Sequence, residues 1–386
     1  MQNTFFRTVA AVAIAAGLGM AGSAMADDVK LPKKISWTAY GTTASGYAQS
    51  VAIGNAIKKA YGTTLRVIPG KNDVSRMAPL RDNRADFCAC GIAAYFGQEG
   101  VLLFASNEWG PQPLRVVMTA IGTHNLALAT AKDANIRSMA DLKGKRISWV
   151  RAGDALNWNV AASLAFAGLT WDDVVKIEVS GFKASVDAII NGQSDAAFMS
   201  TITPHAKRLA ASPRGLFWPE LPHDDKAGWK RLAMAHPVDQ MHVATSGANI
   251  SKDKPHQGAT YAYPALITNA SKNSDVVYSM LKGVVSQFDK FKGAAPGAAG
   301  WSVKNQNMTW ALPYHQGAVK YWKEIGIWSD KAQKHNDGLI KRQNLLIATW
   351  KALPGKKGMS KDDLRSKWMA ARGMALKKAG LPLVFN

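Results

Sequence analysis

The stretch Ile35-Ser36-Trp37-Thr38-Ala39-Tyr40-Gly41-Thr42-Thr43-Ala44-Ser45-Gly46 reads as a short strand that runs into a hydroxyl-rich glycine loop and then a helix. Its opening tripeptide returns at Ile147-Ser148-Trp149, ahead of the loop Arg151-Ala152-Gly153-Asp154. After each copy the chain reaches a small residue and an Asp leading into an apolar strand. Asp86 of Ala85-Asp86-Phe87-Cys88 lies 51 positions beyond Ile35, and Asp195 of Ser194-Asp195-Ala196-Ala197 lies 48 beyond Ile147. The pattern predicts two similar α/β halves. In open α/β sheets ligands bind beyond the carboxyl ends of the strands, where helix N-termini offer free N–H groups to an anion. The expected site is therefore a cleft between the halves, holding a small anion.

Around the first copy, Tyr47 to Tyr61 has the helical spacing, with Ile53, Ile57, Ala60 and Tyr61 on one stripe. Leu65 to Ile68 follows as a strand. A helix opens near Asp73 or Ser75 and ends by Asp82-Asn83, and Phe87 to Cys90 is a third strand. Strand-helix-strand-helix-strand order implies parallel pairing through right-handed crossovers. Leu114 to Ile121 and Asn125 to Thr130 read as strands leading into the second half. There a helix carrying Ala161, Leu164, Ala165 and Gly168, a helix from Val186 to Asn191, and a strand from Ala196 to Ser200 repeat the plan. Residues 212–258, rich in Pro, His, Gly and Trp, suggest loops and a crossing point. Tyr261 to Thr268 reads as a strand and Ser274 to Phe291 as an amphipathic helix. The chain beyond Trp301 reads as helices broken at Pro313, Pro354-Gly355 and Pro382.

The first 26 residues have the make-up of an export signal: Arg7, an apolar run from Val9 to Met20, and Ala24-Met25-Ala26 as the cleavage pattern. Cleavage after Ala26 would leave a periplasmic chain long enough for two α/β domains. No later stretch approaches the roughly 20 apolar residues of a membrane span. The full chain has 48 Lys and Arg against 27 Asp and Glu, a net charge of +21, of which the leader carries only Arg7. So basic a surface steers anions toward it. Export argues against nucleic acid, the usual partner of a high isoelectric point. Cys88 and Cys90 are too few for a disulfide scaffold, and at i, i+2 on a strand they are expected to stay unbridged as small buried residues. His205, His223, His236, His242 and His256 lack metal-ligand spacing, and neither a Gly-x-Ser-x-Gly elbow nor a P-loop occurs. No metal, cofactor or catalytic residue is expected.

In its ordered motifs the chain resembles the TAXI class of solute receptors, the extracytoplasmic binding proteins of TRAP transporters. The resemblance runs from Ile35 to about Trp328. It rests on the first glycine loop ending at Gly46-Tyr47, the helix leading to Arg84-Ala85-Asp86, the segment Ile136-Arg137-Ser138-Met139-Ala140-Asp141-Leu142-Lys143-Gly144-Lys145-Arg146, and Gly192-Gln193-Ser194-Asp195-Ala196-Ala197-Phe198. It departs from the class at Asn72-Asp73-Val74-Ser75-Arg76, where Gly-Ser-x-Glu-Asn is usual, and in the less glycine-rich loop from Ala152 to Asn157. The resemblance implies a two-lobed periplasmic binding protein fold, α/β throughout, with hinge strands joining the lobes and the cleft between them. Lobe I would comprise residues 27–121 and 244–386, and lobe II residues 122–243. A non-enzymatic monomer would capture a carboxylate, such as a dicarboxylate, an acidic amino acid or an aromatic acid, and deliver it to TRAP permease subunits. Two other readings stay open: a receptor of an ABC importer for an aromatic or sulfonated anion, and an exported enzyme on the same fold.

Thr42, Thr43, Ser45 and Tyr47 surround the first helix N-terminus and are candidate ligand contacts, although helix capping is the plainer role for such hydroxyls. Asn72 stands beside the second helix. Arg76 and Arg151 are the candidate carboxylate anchors, because a guanidinium can form a bidentate pair; a solvated surface Arg is the ordinary alternative for either. Asp154, Asn157, Trp158 and Asn159 would form the rim of lobe II, with Trp158 a candidate apolar wall. Cys90 and Gly91 end one strand, Ser200, Thr201 and Thr203 its counterpart, and Tyr263 lies on the return strand. Trp37 and Trp149 are expected in the core.

Overall fold

A computed structural model describes residues 29–385, so the export leader expected over 1–26 lies outside the described residues. The first half runs β1 (Lys34–Tyr40), α1 (Ser45–Tyr61), β2 (Thr64–Gly70), α2 (Asp73–Arg81), β3 (Phe87–Cys90), α3 (Ile92–Glu99) and β4 (Leu114–Thr119). Ile35, Trp37 and Ala39 of β1 are all buried, and α1 buries Ile53 and Ile57 completely. Each such side chain contributes about 1.5–3 kcal/mol by leaving water. Gly62 ends α1 in the left-handed region at φ 70°, which a residue with a Cβ adopts only at a cost.

The chain then crosses through residues 120–125 into β5 (Leu126–Ala131), β6 (Arg146–Val150), α4 (Asp154–Phe166), β7 (Val175–Val179), α5 (Phe182–Ile190), β8 (Ala196–Ser200), α6 (Pro204–Ala210) and β9 (Leu216–Phe217). The stretch expected to be loops holds α7 (Lys226–Ala235) and an antiparallel hairpin of β10 (Gln240–Ala244) and β11 (His256–Thr260). Asp225 caps α7 by accepting from Gly228 N, a helix start hidden by the turn-rich composition. The return crossing, 261–264, leads to β12 (Ala265–Asn269), α8 (Ser274–Ser286), α9 (Phe288–Phe291), α10 (Gln316–Glu324), α11 (Asp330–Ala352) and α12 (Lys361–Lys378).

Two five-stranded sheets result, in the orders β2-β1-β3-β12-β4 and β7-β6-β8-β5-β9. The architecture is thus the expected two-lobed α/β one. In each sheet three parallel strands meet an antiparallel strand, β12 or β5, that has just crossed from the other lobe. The two crossings hydrogen-bond to each other, Tyr263 N to Ala120 O and Ala120 N to Pro264 O, each at 2.9 Å. The β10–β11 hairpin lies against β5, where Asn125 Nδ2 donates to the main-chain oxygens of His242 and His256. On these contacts we assign the hairpin to lobe II, which puts the return crossing at 261–264 rather than near Ala244.

The repeated Asp has a structural duty in both halves. Asp86 Oδ2 accepts from Ser36 N and Oγ, and Asp195 Oδ2 accepts from Arg146 N, so each carboxylate ties the start of one strand to its parallel neighbour. Strand pairing shows that the tripeptides are not in register, however. Trp37 pairs with Phe87, one residue after Asp86, whereas Ile147 pairs with Ala196, one residue after Asp195. Trp149 therefore stands two residues further along its sheet than Trp37. It is only half-buried, edge-on to Trp171 at 4.8 Å, and not a core residue like Trp37.

Cys88 and Cys90, expected to remain unbridged, are joined in a disulfide. A regular strand holds i and i+2 about 6.6 Å apart. Here the backbone is drawn in to a Cα–Cα distance of 5.2 Å, within the bridging range.

Candidate functional site

A small cavity lies between the lobes, at the carboxyl ends of both sets of parallel strands. From lobe I it is lined by Tyr40 at the end of β1, Ser45 at the start of α1, Arg76 in α2, Gly91 and Ile92 at the start of α3, and Tyr263 of the return crossing. Lobe II supplies apolar groups, among them Leu126, Leu156, Phe182, Phe198 and Met199, and the polar Asn159, Ser200, Thr203 and Tyr261. The open space is about 40 Å³, room for no more than a few waters. The lobes are closed.

Arg76 is the centre of this site. It is 1% exposed and its Nη2 donates to Asp73 Oδ1 at 2.7 Å. Its guanidinium carbon lies 3.6 Å from the centre of the Tyr40 ring. The Nε and Nη1 donors have no partner. A buried guanidinium with two unsatisfied donors is costly unless an acceptor arrives. On the facing lobe, the hydroxyls of Ser200 and Thr203 are likewise buried without partners. Burial raises the phenols of Tyr40, Tyr261 and Tyr263 above their ordinary value, so all three remain neutral.

The seam around the cavity is made of hydrogen bonds between the lobes. Asp73 Oδ2 accepts from Ala155 N at 2.7 Å, Asp73 N donates to Ala152 O, Asn72 Nδ2 to Arg151 O, and Phe182 N to Lys71 O. Gly181 permits that last approach, since a Cβ there would lie 2.9 Å from Lys71 O. At another edge Thr43 Oγ1 meets His205 Nε2 at 2.8 Å. Arg208 donates to His205 Nδ1, so the ring proton sits on Nε2 and Thr43 accepts it. Burial, with Arg208 second, lowers His205 to about 4. Asp154 accepts from Leu103 N of lobe I, and burial raises its carboxyl to about 6.

Of the residues expected at the site, Ser45, Arg76, Gly91, Asn159, Ser200, Thr203 and Tyr263 come together around the cavity. Asn72, Asp154 and Thr43 belong to the seam instead. Arg151 is outside: it is solvent-exposed and paired with Glu178, which neighbours it across β6 and β7. Asn157 is spent on Val150, accepting from its N and donating to its O. Trp158 is a wall, but between the lobes outside the cavity, packed on Phe96 and Phe385 with its Nε1 donating to Ala235 O. Cys90 is fully buried in its disulfide, Thr201 donates to Ser246 O beside the crossing, and Thr42 and Tyr47 do not line the cavity. Tyr40, Phe182, Phe198 and Tyr261 were not expected there. The usable signal was position: Tyr40 and Phe182 flank the two loops that open the helices.

A protein-family model matches residues 38–326, three quarters of the sequence. The chain belongs to the NMT1-like family. Solved structures with a similar overall course include the alkanesulfonate-binding protein SsuA from Xanthomonas axonopodis pv. citri bound to MOPS, at 13% identity and a TM-score of 0.45, covering 92% of this chain and 96% of that one. An ancestral arginine-binding protein bound to glutamine matches at 14% identity and a TM-score of 0.44, covering 70% and 99%. The periplasmic aliphatic sulphonate binding protein from Escherichia coli matches at 12% and 0.42, covering 81% and 88%. These are likenesses of architecture and no more. The narrower TAXI assignment is a matter for the proposal below.

Proposed function

We propose that this NMT1-like protein is an exported solute receptor whose lobes close on a small organic anion and present it to a membrane permease. The observation that carries this reading is Arg76, a fully buried cation with two unsatisfied donors facing a cavity shared by both lobes. Hinge closure around a solute is a common use of two lobes joined by paired crossings. Among the described lining residues no His, Asp or Glu stands beside the Ser and Thr hydroxyls, which supports binding rather than catalysis. No described helix is long and apolar enough to cross a membrane, in keeping with a receptor that works beside its permease.

The permease class rests on separate grounds. A TRAP permease follows from the sequence resemblance to TAXI receptors alone. The cavity favours the other reading, a receptor of an ABC importer for an aromatic or sulfonated anion, because its walls are mainly aromatic and aliphatic around a single guanidinium. Native mass spectrometry of the protein as purified, with small-angle scattering before and after the solute is removed, tests the shared part of both readings. An anion released together with an expansion of the particle is the expected result. A particle of unchanged dimensions that carries and binds no anion would overturn it.

A further inference from the structure

We propose that the solute is a monoanion: one carboxylate or sulfonate head on an uncharged, largely apolar body, with neither an ammonium group nor a second acid. This rests on the receptor reading above and narrows it. Among the described residues that line the cavity, Arg76 is the only charged one and none is a carboxylate.

The nearest acid is already committed. Asp73 Oδ1 takes Arg76 Nη2 at 2.7 Å and the Tyr40 hydroxyl at 3.2 Å, while its Oδ2 takes Ala155 N at 2.7 Å from the facing lobe. Both oxygens serve the closed seam. An ammonium entering the cavity would find aromatic rings and neutral hydroxyls but no free carboxylate, and a desolvated cation without a counter-charge is strongly disfavoured. A second acid fares no better. Arg76 offers a single positive charge, and beyond it Ile92, Leu126, Leu156, Phe182, Phe198 and Met199 present no donor to a second anion.

The polar groups that are unpaired match a single head. Asp73 holds Nη2, and Nε and Nη1, whose N–H bonds point to opposite edges of the guanidinium, are both without a partner, so a charged donor is open to a head oxygen. Two further unpaired hydroxyls, of Ser200 and Thr203, are contributed by the opposite lobe. One head bound by both lobes would couple occupancy to closure.

The test uses matched probes by calorimetry on the full chain after solute removal: butanoate, propane-1-sulfonate, 2-aminobutanoate and succinate, with phenylacetate and phenylalanine as an aromatic pair. The expected result is that at least one monoanion binds about tenfold or more tighter than its amino and diacid counterparts, a gap of about 1.4 kcal/mol or more. The carboxylate and sulfonate arms separate the two heads. Equal or tighter binding of succinate, 2-aminobutanoate or phenylalanine would overturn the monoanion assignment while leaving the receptor reading intact. If no probe binds, the head group of the co-purifying solute decides, and a diacid or an amine there overturns the assignment. Absence of both probe binding and a co-purifying anion would remove the receptor reading itself.

Discussion

Replacing Arg76 should separate binding from folding in a measurable way. A hydrogen bond to a charged partner contributes about 1.5–3 kcal/mol, and Arg76 has two donors, Nε and Nη1, free for the solute. Losing the one that a single head can reach in Arg76→Gln removes about 1.5–3 kcal/mol, and at 1.4 kcal/mol per decade this weakens binding at least about tenfold. Arg76→Lys keeps the charge but not the planar guanidinium, so a smaller loss is expected. The same substitutions act on the fold, because Arg76 is ion-paired to Asp73 with both side chains essentially inaccessible. Breaking a buried pair costs about 3–5 kcal/mol when the survivor is left bare. Asp73 is not left bare: it keeps the Tyr40 hydroxyl and Ala155 N, so the smaller end of that range is expected. Urea unfolding gives the stability loss, and calorimetry with the solute identified by mass spectrometry gives the affinity loss. A folded Arg76→Gln protein that binds this anion within about threefold of the wild type, under 1 kcal/mol, would refute Arg76 as the anchor.

Three further substitutions probe the surrounding structure. The Asp154 carboxyl, raised to about 6 by burial, holds its proton more tightly in the folded than in the unfolded chain. Its contribution is therefore full below about pH 4 and is lost as pH rises to about 6, a fall of roughly 1–2 kcal/mol after allowance for partial exposure; Asp154→Asn should remove that share of the slope in urea titrations at pH 4.5 and 7. Gly91→Ala places a Cβ 2.7 Å from Tyr263 Cδ2 and should cost about 1–3 kcal/mol by overpacking, with weaker solute binding, read by thermal unfolding and calorimetry. Glu99 accepts from Arg342 Nε and Nη2 and from Arg372 Nη2, all buried, so Glu99→Gln leaves two guanidinium groups without their shared counter-charge and should lower stability by about 3–5 kcal/mol in urea; a change under 1 kcal/mol would show that the pairs are not formed.

Those last contacts concern the part of the chain the sequence explained least. Residues beyond 326 lie outside the matched family segment, yet they are built into lobe I. Arg342 of α11 and Arg372 of α12 converge on Glu99 at the end of α3, and Trp368 Nε1 donates to Gly100 O. Phe385 then packs edge-on to Phe96 at 5.3 Å and to Trp158 of lobe II at 5.4 Å. Helical periodicity showed that these helices exist. It gave no partner, because a buried Arg–Glu pair separated by 243 positions leaves no local pattern.

Within the site, the contrast between Arg76 and Arg151 shows where sequence reasoning stops. Both follow the end of a parallel strand and both stand near a helix start, so residue type and position made them equivalent. The difference lies in the nearest acid. Arg76 has Asp73 three residues before it on one helix, a pairing readable from the sequence, and that pair draws the guanidinium under Tyr40 and into the seam. Arg151 has Glu178, which is near only because β6 and β7 pair in a register that places Trp149 opposite Glu178. The β7 strand is short and largely exposed, so no apolar alternation announced it.

The aromatic walls were illegible for a related reason. Tyr40 and Phe198 lie on largely buried strands, and nothing local distinguishes a ring facing the sheet's helices from one facing the other lobe. The repeated Ile-Ser-Trp sharpens the point. It located both first strands correctly, yet the copies are offset by two residues in the frame of their sheets. A tripeptide match reports composition on a strand, whereas the cavity depends on which residue stands last on it. That position is Tyr40 in β1, against Arg76, and Val150 in β6, which is buried and leaves its lobe's polar contacts to Ser200 and Thr203 on the β8 side. The two halves thus share a scaffold but divide the work: the first holds the charge, and the second supplies the apolar wall and the hydroxyls that close over it.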